Sequence, residues 1–376
     1  MAVRRGERRG LLRGLAGVAV LGAAGSAGAL ALRRSQAEDY TEVLANCRGP
    51  AAPGTPPPLA LVHHAVMAAN SHNTQPWRFA VTAQAIEIRP DSTRRTPAVD
   101  PDDHHLHASL GCALENLVQA ASAHGVMATA EVAADGTARA LLEAAPVSPG
   151  PLFQAIPRRQ STRAAFDGGR LGPAELRALS VARPEDGVEV LLIDDPARRE
   201  TLLDLVVAGN AAQLRDAAFV AELLGWIRFS HAEAVATRDG LFTGASGNPV
   251  VPGALGRRLF RQVFTLEGET DRYVRQIRSS AGLAVFVADA DRPEGWVRAG
   301  RCAQRFCLQA TALGLRTAWV NQPVEVPGLR GALAAWLGVA PLRPNLILRF
   351  GRGPELPASL RRPVAAVLEA DYIAAP

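Results

Sequence analysis

Apolar residues recur at helical spacing through Leu59, Val62, Val66 and Ala69, and the run then breaks into Asn70-Ser71-His72-Asn73-Thr74-Gln75-Pro76-Trp77. The pattern predicts a helix over 59–71, a polar turn, and strands near 78–82 and 85–89, with Trp77 in the core. Leu106, Leu110, Leu114, Leu117 and Ala121 repeat the helical period, with Gly125 where a C-cap belongs. Asp135-Gly136 then joins the runs 128–133 and 138–144 as a hairpin. The second half reads as a short helix over 156–165, a helix at 173–180, a strand at 188–193 and helices near 196–208 and 213–227. Strands at 283–288, 316–320 and 345–350 follow, with a helix over 294–313 that Gly314 ends. Two segments carry no usable period. Residues 35–58 end in Pro53-Gly54-Thr55-Pro56-Pro57-Pro58, a stiff linker suited to neither helix nor sheet. Residues 237–256 hold five glycines and two prolines, and a structureless stretch of that length is more often a functional lid than a spacer.

The two halves echo each other. Each has a long helix rich in small residues that ends in His124-Gly125-Val126 or Leu313-Gly314-Leu315 and runs into a strand. Gly111 and Gly300 fall inside these helices, where missing side chains would let the two approach closely. The expectation is a diverged duplication with an α+β fold.

Composition changes this picture little. A chain of 376 residues that is 48% hydrophobic can bury a large core, in two domains or one big one. All 41 basic residues are arginine, which looks like the codon bias of a high-GC genome. Residues 1–34 hold seven arginines and one acid, a net +6, so the rest carries about −1 of the formal +5. A nearly neutral body argues against a nucleic-acid footprint. The leader matters more. Arg8-Arg9-Gly10-Leu11-Leu12-Arg13 precedes an uncharged, mostly Ala and Gly stretch and resembles a twin-arginine export signal, with Ala27-Gly28-Ala29 as its cleavage site. The nineteen residues 14–32 could instead just cross a bilayer as a retained anchor, although five glycines weigh against insertion. The expected location is therefore exported or membrane-associated, with residues 1–34 as the only membrane contact. Cys47, Cys112, Cys302 and Cys307 are too few for a disulfide scaffold.

Three segments could carry chemistry. The turn at 70–76 crowds amides and hydroxyls together, as a flat ligand edged with heteroatoms would need, or it is a plain helix-to-strand loop. Arg158-Arg159-Gln160-Ser161-Thr162-Arg163, read on one short helix, is a ready phosphate clamp. Each charge-assisted bond there would contribute roughly 1.5–3 kcal/mol; the alternative is a solvated basic helix. A strand ending in Arg349-Phe350-Gly351, followed by Leu360-Arg361-Arg362-Pro363, offers more basic groups or an exposed tail. Asp102-Asp103-His104-His105-Leu106-His107 leads straight into a helix, where Asp is a good cap, so no metal is assigned. His231-Ala232-Glu233 lacks the Pro-Cys-x-x-Cys of zinc deaminases. Hydrolase, zincin and Walker motifs are missing from the sequence.

The wording Ser-His-Asn-Thr-Gln-Pro-Trp resembles the flavin-binding turn of nitroreductase-like FMN oxidoreductases, and Arg159-Gln160-Ser161-Thr162-Arg163 resembles their Arg-x-Ser-x-Arg opening. An ordinary family member carries both in one subunit of a homodimer. Here the turn lies in the first half and the arginines in the second, while the second half has only Gly244-Ala245-Ser246-Gly247-Asn248-Pro249 where the turn should recur. The resemblance, over 59–365, is to the tandem, dormancy-associated branch of the family. It implies two nitroreductase-like half-repeats, 59–150 and 151–376, each with a mixed or antiparallel sheet flanked by helices. They would form an intramolecular pseudo-dimer, a monomeric chain with one complete FMN site and one dead site. Carried over residue by residue, ring and ribityl contacts fall on Ser71, Asn73 and Gln75, and phosphate and ribityl contacts on Arg159, Ser161, Arg163, Arg361 and Arg362. Asn321 and Gln322 would sit near the flavin N5 edge, where relatives often have an acid and a glycine. The implied activity is reduction of nitro- or quinone-type acceptors, with NAD(P)H or another small-molecule donor and no catalytic acid or base. The alternative is a flavin-sequestering protein whose 237–256 lid covers FMN.

Overall fold

The computed structural model describes residues 23–183 and 187–369, with side chains from residue 34 onward. Helices α1 (Ala23–Arg48) and α2 (Pro57–Ala65) precede strands β1 (Trp77–Val81) and β2 (Ala85–Pro90), helix α3 (His104–Ala121), and strands β3 (Val126–Val132) and β4 (Ala138–Ala144). These strands form an antiparallel sheet in the order β1-β2-β4-β3. Helices α4 (Pro151–Ala155) and α5 (Pro173–Ser180) lead to β5 (Val188–Ile193). Then come α6 (Pro196–Arg215), α7 (Ala217–Trp226), the two-residue strand β6 (Ile227–Arg228), α8 (His231–Thr237), the two-residue strand β7 (Leu241–Phe242), α9 (Gly253–Val263) and α10 (Leu266–Arg278). Strand β8 (Gly282–Ala288), α11 (Pro293–Ala312), β9 (Arg316–Trp319), α12 (Gln322–Glu325), α13 (Pro327–Leu337) and β10 (Pro344–Gly351) complete the series. The second sheet is also antiparallel, ordered β5-β8-β10-β9.

Alternation along β8 shows why both its faces are apolar. Ala284, Phe286 and Ala288 pack with Cys302, Ala303 and Phe306 of α11. Leu283, Val285 and Val287 pack on the other face with Leu202 and Val206 of α6 and Ile277 of α10. In the first sheet Ile86, Ile88, Ala138 and Ala140 join Leu110, Leu114 and Leu117 of α3 in one core.

The halves are laced together by exchange of chain. Thr162 donates from its backbone to Thr317 O at 2.8 Å, beside a bridge between Ser161 and Thr317 at the free edge of β9. The tail returns to the first sheet, where Phe79 N donates to Val367 O at 2.8 Å. Between the sheets α3 crosses α11 at the two glycines expected from the sequence. A β-carbon at Gly111 would lie 2.0 Å from Val297 O, and one at Gly300 would lie 1.9 Å from Ala108 O.

Several expectations are corrected. The helix read over 59–71 ends at Ala65. Residues 156–165 form no helix, because α4 stops at Ala155 and the chain then pairs along β9. The linker read at 35–58 is helical to Arg48; Tyr40, Val43, Leu44 and Cys47 form an apolar stripe docked on Ala234, Phe242 and Leu360. The lid segment carries β7, a 3-10 turn at Gly244–Ser246 and the start of α9. The helices read near 196–208 and 213–227 are α6 and α7, which part at Asp216, whose carboxylate accepts from Ala218 N at 2.8 Å. Asp103 does not cap α3; Asp100 does, accepting from His105 N and Leu106 N at 2.9 Å each. Of the leader, residues 1–22 lie outside the described residues, among which no helix is long and apolar enough to cross a membrane.

His64 gives a pH prediction. It is 4% exposed with its Nε2 3.0 Å from His124 Nε2, and burial, then His63 and His124, lower its pKa from 6.5 to about 3. A base depressed in the folded state contributes stability above pH 6.5 that is lost as pH falls toward about 3. His64→Gln is therefore expected to flatten the decline of Tm over that acidic range. Melting curves that decline in parallel with those of the parent protein would refute it.

Candidate functional site

The turn between α2 and β1 is strained and pinned. His72, Asn73 and Gln75 have φ of 45°, 54° and 54°, a left-handed backbone that Asn and His tolerate better than most and that costs Gln roughly 1 kcal/mol or more. Asn70 Oδ1 accepts from Gln75 N at 2.8 Å, and Thr74 N donates to Ser71 O at 2.8 Å. Gln75 Nε2 donates to Arg238 O at 2.8 Å while its Oε1 accepts from Arg362 N at 2.7 Å. Asn73 Nδ2 donates to Gly240 O at 3.0 Å and its Oδ1 accepts from Arg361 Nη1 at 2.8 Å. The amides thus hold the turn to segments far along the chain, leaving Asn70, Ser71 and His72 facing a cavity.

That cavity has a volume of about 240 Å³. Helix α3 contributes His105 and Ser109, α6 Asn210 and Gln213, α10 Arg272 and Tyr273, and the stretch after β9 Asn321 and Gln322. Leu214, Phe219, Leu223 and Phe264 make one wall apolar. Asn210 Nδ2 and Gln322 Oε1 are buried without a hydrogen-bond partner. Burial lowers the pKa of His105 and, with Arg163 and His105 next, lowers that of His72 to about 4, so both rings are neutral at pH 7. Burial raises the pKa of Glu325, whose Oε1 lies 3.5 Å from His105 Nε2.

A second pocket of about 50 Å³ shares Ala69, Asn70, Arg163, Leu241 and Trp319 with the first. Its other walls include Arg48, Arg159, Ser161 and Arg361, and among the described residues no carboxylate lines it. Arg159 and Arg361 are 3% and 4% exposed. The Nε atoms of Arg48, Arg159 and Arg361 and the Oγ of Ser161 are all buried without a partner among the described residues. Burial and then Arg159 push the Arg48 pKa down to about 10; burial followed by Arg48 and Arg159 pushes Arg361 well below the guanidinium range. Buried like charges with orphaned donors and no counter-ion are stable neighbours only when an anion joins them.

The structure therefore brings Ser71, Asn73, Arg159, Ser161, Arg163, Arg361, Asn321 and Gln322 to one joined cavity. Gln75 and Arg362 line neither pocket. Gln75 is fully buried and spent on the backbone, and Arg362 diverges from its neighbour to donate to Ala366 O at 2.6 Å, with Asp91 3.8 Å away. Sequence reading missed Arg48, Asn210 and Tyr273, which come from helices with no motif, while Asn70 lies in the turn already singled out. Only the apolar stripe of α1 could have signalled Arg48.

Comparisons with known proteins give the family. The Nitroreductase family matches residues 156–352. Over 343 residues the chain is 28% identical to "Putative NAD(P)H nitroreductase Rv3131" of Mycobacterium tuberculosis, covering 86% of this chain and 95% of that one. Over 325 residues it is 26% identical to "Putative NAD(P)H nitroreductase acg" of the same organism, covering 81% and 93%. A solved nitroreductase with bound FMN from Desulfitobacterium hafniense covers 60% of this chain and 98% of that chain at 15% identity, with a TM-score of 0.37. The family match takes in more than half of the residues, and the chain belongs to the Nitroreductase family.

Proposed function

We propose that the protein is an FMN-dependent oxidoreductase that takes electrons from NAD(P)H and passes them to a nitro- or quinone-type acceptor. The observation that carries this reading is the acid-free arginine pocket opening into a wider, half-apolar cavity. The residues present fit a mononucleotide: orphaned guanidinium and hydroxyl donors suit its phosphate, and unpartnered amides suit the edge of a flat ring.

Bound FMN would supply the hydride chemistry. Arg159, Ser161, Arg163 and Arg361 would hold the phosphate, and Ser71, Asn210, Asn321 and Gln322 would orient the ring. The apolar wall keeps water from the reacting face, and neutral His72 and His105 add no charge that would repel an electron-poor acceptor. Asn73 positions Arg361 through its 2.8 Å bond.

We further read the chain as a fused pair of half-repeats. Support comes from the matching strand orders, β1-β2-β4-β3 and β5-β8-β10-β9, each with its long helix between the second and third strands in chain order. Export through the arginine-rich leader is part of the same proposal and rests on the sequence alone.

A second reading, flavin storage without turnover, is favoured by one observation: Leu241, Thr243, Ser246 and Asn248 wall the cavity from the segment first read as a lid. Purifying the full chain and adding NADH and NADPH without air separates the two. Rapid bleaching of a yellow protein supports the enzyme, persistent colour supports storage, and failure to retain any flavin rejects both.

A further inference from the structure

The amino-terminal helix lies outside the stretch that matches the family, yet it ends inside the polar pocket. Helix α1 is held at its middle by Tyr40. Its hydroxyl donates to Ala358 O at 2.6 Å, and its ring lies 4.8 Å from that of Phe242 and 5.3 Å from that of His231. Two turns later Arg48 reaches between the loops that carry the other arginines. Its Nη1 donates to Arg159 O at 2.9 Å and to Pro157 O at 3.1 Å, and its Nη2 lies 3.5 Å from Ser359 O. Its Nε is buried and unpartnered.

We propose that Arg48 is a ligand of the cofactor phosphate, which makes α1 a clamp whose docking and the binding of a phosphorylated flavin stabilise each other. This rests on the FMN reading above and adds to it a residue from a helix outside the family match. Three features carry it: the lining position of Arg48, its orphaned Nε, and the absence of any carboxylate in that lining. An orphaned Nε is not enough by itself: Arg349 has one too, but its two Nη atoms meet four protein acceptors and it lines neither pocket, whereas Arg48 joins an orphaned Nε to a place in the polar lining. Arg48 instead faces two further cations at close quarters. Burial and Arg159 depress its pKa, which is the electrostatic condition a dianion relieves. Coupling of this kind is reciprocal: whatever the phosphate gains from α1 in place, α1 gains from the phosphate.

The test compares two flavins that differ only in the phosphate. FMN and riboflavin are titrated separately into flavin-stripped full-length protein, its Arg48→Ala variant and its Arg48→Lys variant, with binding read by quenching of flavin fluorescence. The expected result is a parent protein that prefers FMN, and an Arg48→Ala variant that loses about tenfold or more of its FMN affinity with riboflavin affinity unchanged. Arg48→Lys should recover part of the preference through its charge. Equal weakening toward both flavins would show that Arg48 only braces the loops and would overturn the proposal, as would an unchanged preference for FMN. Inorganic phosphate, read by the melting temperature of the stripped protein, separates this failure from failure of the flavin reading. A rise in the parent that Arg48→Ala abolishes supports the phosphate role even if neither flavin binds; an equal rise in both proteins contradicts it. Hydrogen exchange in α1 should slow on adding FMN and stay unchanged with riboflavin, whereas slowing by both to the same degree would argue against the clamp.

Discussion

The Arg159→Ala/Arg163→Ala variant will purify without flavin and bind FMN at least a hundredfold more weakly than the parent, while its flavin-free form melts no earlier. Both side chains line the polar pocket, and Arg163 lies where that pocket joins the larger cavity. A charge-assisted contact contributes roughly 1.5–3 kcal/mol, so two of them correspond to about two to four orders of magnitude in Kd. The unchanged flavin-free melt follows from the same electrostatics read in the other direction. Burial lowers the pKa of both groups, and among the described residues no carboxylate pairs with either. Among the described residues the Arg159 side chain gives one hydrogen bond, to Met67 O at 2.8 Å. Deleting unpaired, desolvated cations from a cluster of like charges removes repulsion and costs that single bond, so the two changes offset. The flavin-loaded parent should melt later, because a ligand at about a hundred times its Kd adds about 2.7 kcal/mol of stability. A variant that stays yellow and keeps the parent's melting point when flavin is present would remove both arginines from the site.

The sequence showed the site's wording before it showed the site's geometry. Strands β8 and β10 were legible because both their faces are buried and read as apolar runs. The hairpin at Asp135-Gly136 and the long helices were legible because turn chemistry and period agree locally. Helices α9 and α10 went unread although Leu255, Leu259 and Phe260, and Leu266, Tyr273, Val274 and Ile277, segregate to one side of each, because the dense arginines and glutamates and the Gly/Pro run before α9 obscure the period. Residues 156–165 misled for a related reason: their extended course is fixed by Thr317, more than 150 residues away, and not by any local preference. At the site, motif wording located Asn73 and Gln75 but not what their amides meet. The structure spends their amides on Gly240, Leu360 and Arg238, because a turn with three left-handed residues has to be held from outside itself. Between Arg361 and Arg362 the sequence could not choose, because which of two adjacent side chains faces inward depends on what each meets. Asn73 draws in Arg361, and Asp91 with Ala366 draws Arg362 away.

Gly300→Ala will cost the protein far more stability than the same added methyl at Gly331 in α13. The new β-carbon would stand 1.9 Å from Ala108 O, a backbone atom in the middle of a helix, so no side-chain rotation on either side can relieve the clash. Helices α3 and α11 must part, and their seam tolerates that poorly. Glu115 is wholly buried and bonded by Arg305 Nε at 2.6 Å, and Gln304 Nε2 donates to Asn116 Oδ1 at 2.6 Å across the same interface. Overpacking alone costs about 1–3 kcal/mol, and loosening a buried ion pair adds a penalty of up to about 3–5 kcal/mol. The sum corresponds to a fall in Tm of about 10 °C or more, or to a chain that no longer folds in soluble form. Gly111→Ala should behave alike, since its β-carbon would meet Val297 O at 2.0 Å. Gly331→Ala in α13 is the control: nothing lies within 4 Å of its added carbon, and alanine is the better helix former by about 1 kcal/mol. The consequence reaches the cavity as well, because α3 also carries His105 and Ser109 into it. A Gly300→Ala protein that melts with the control would refute the backbone contact between the two helices.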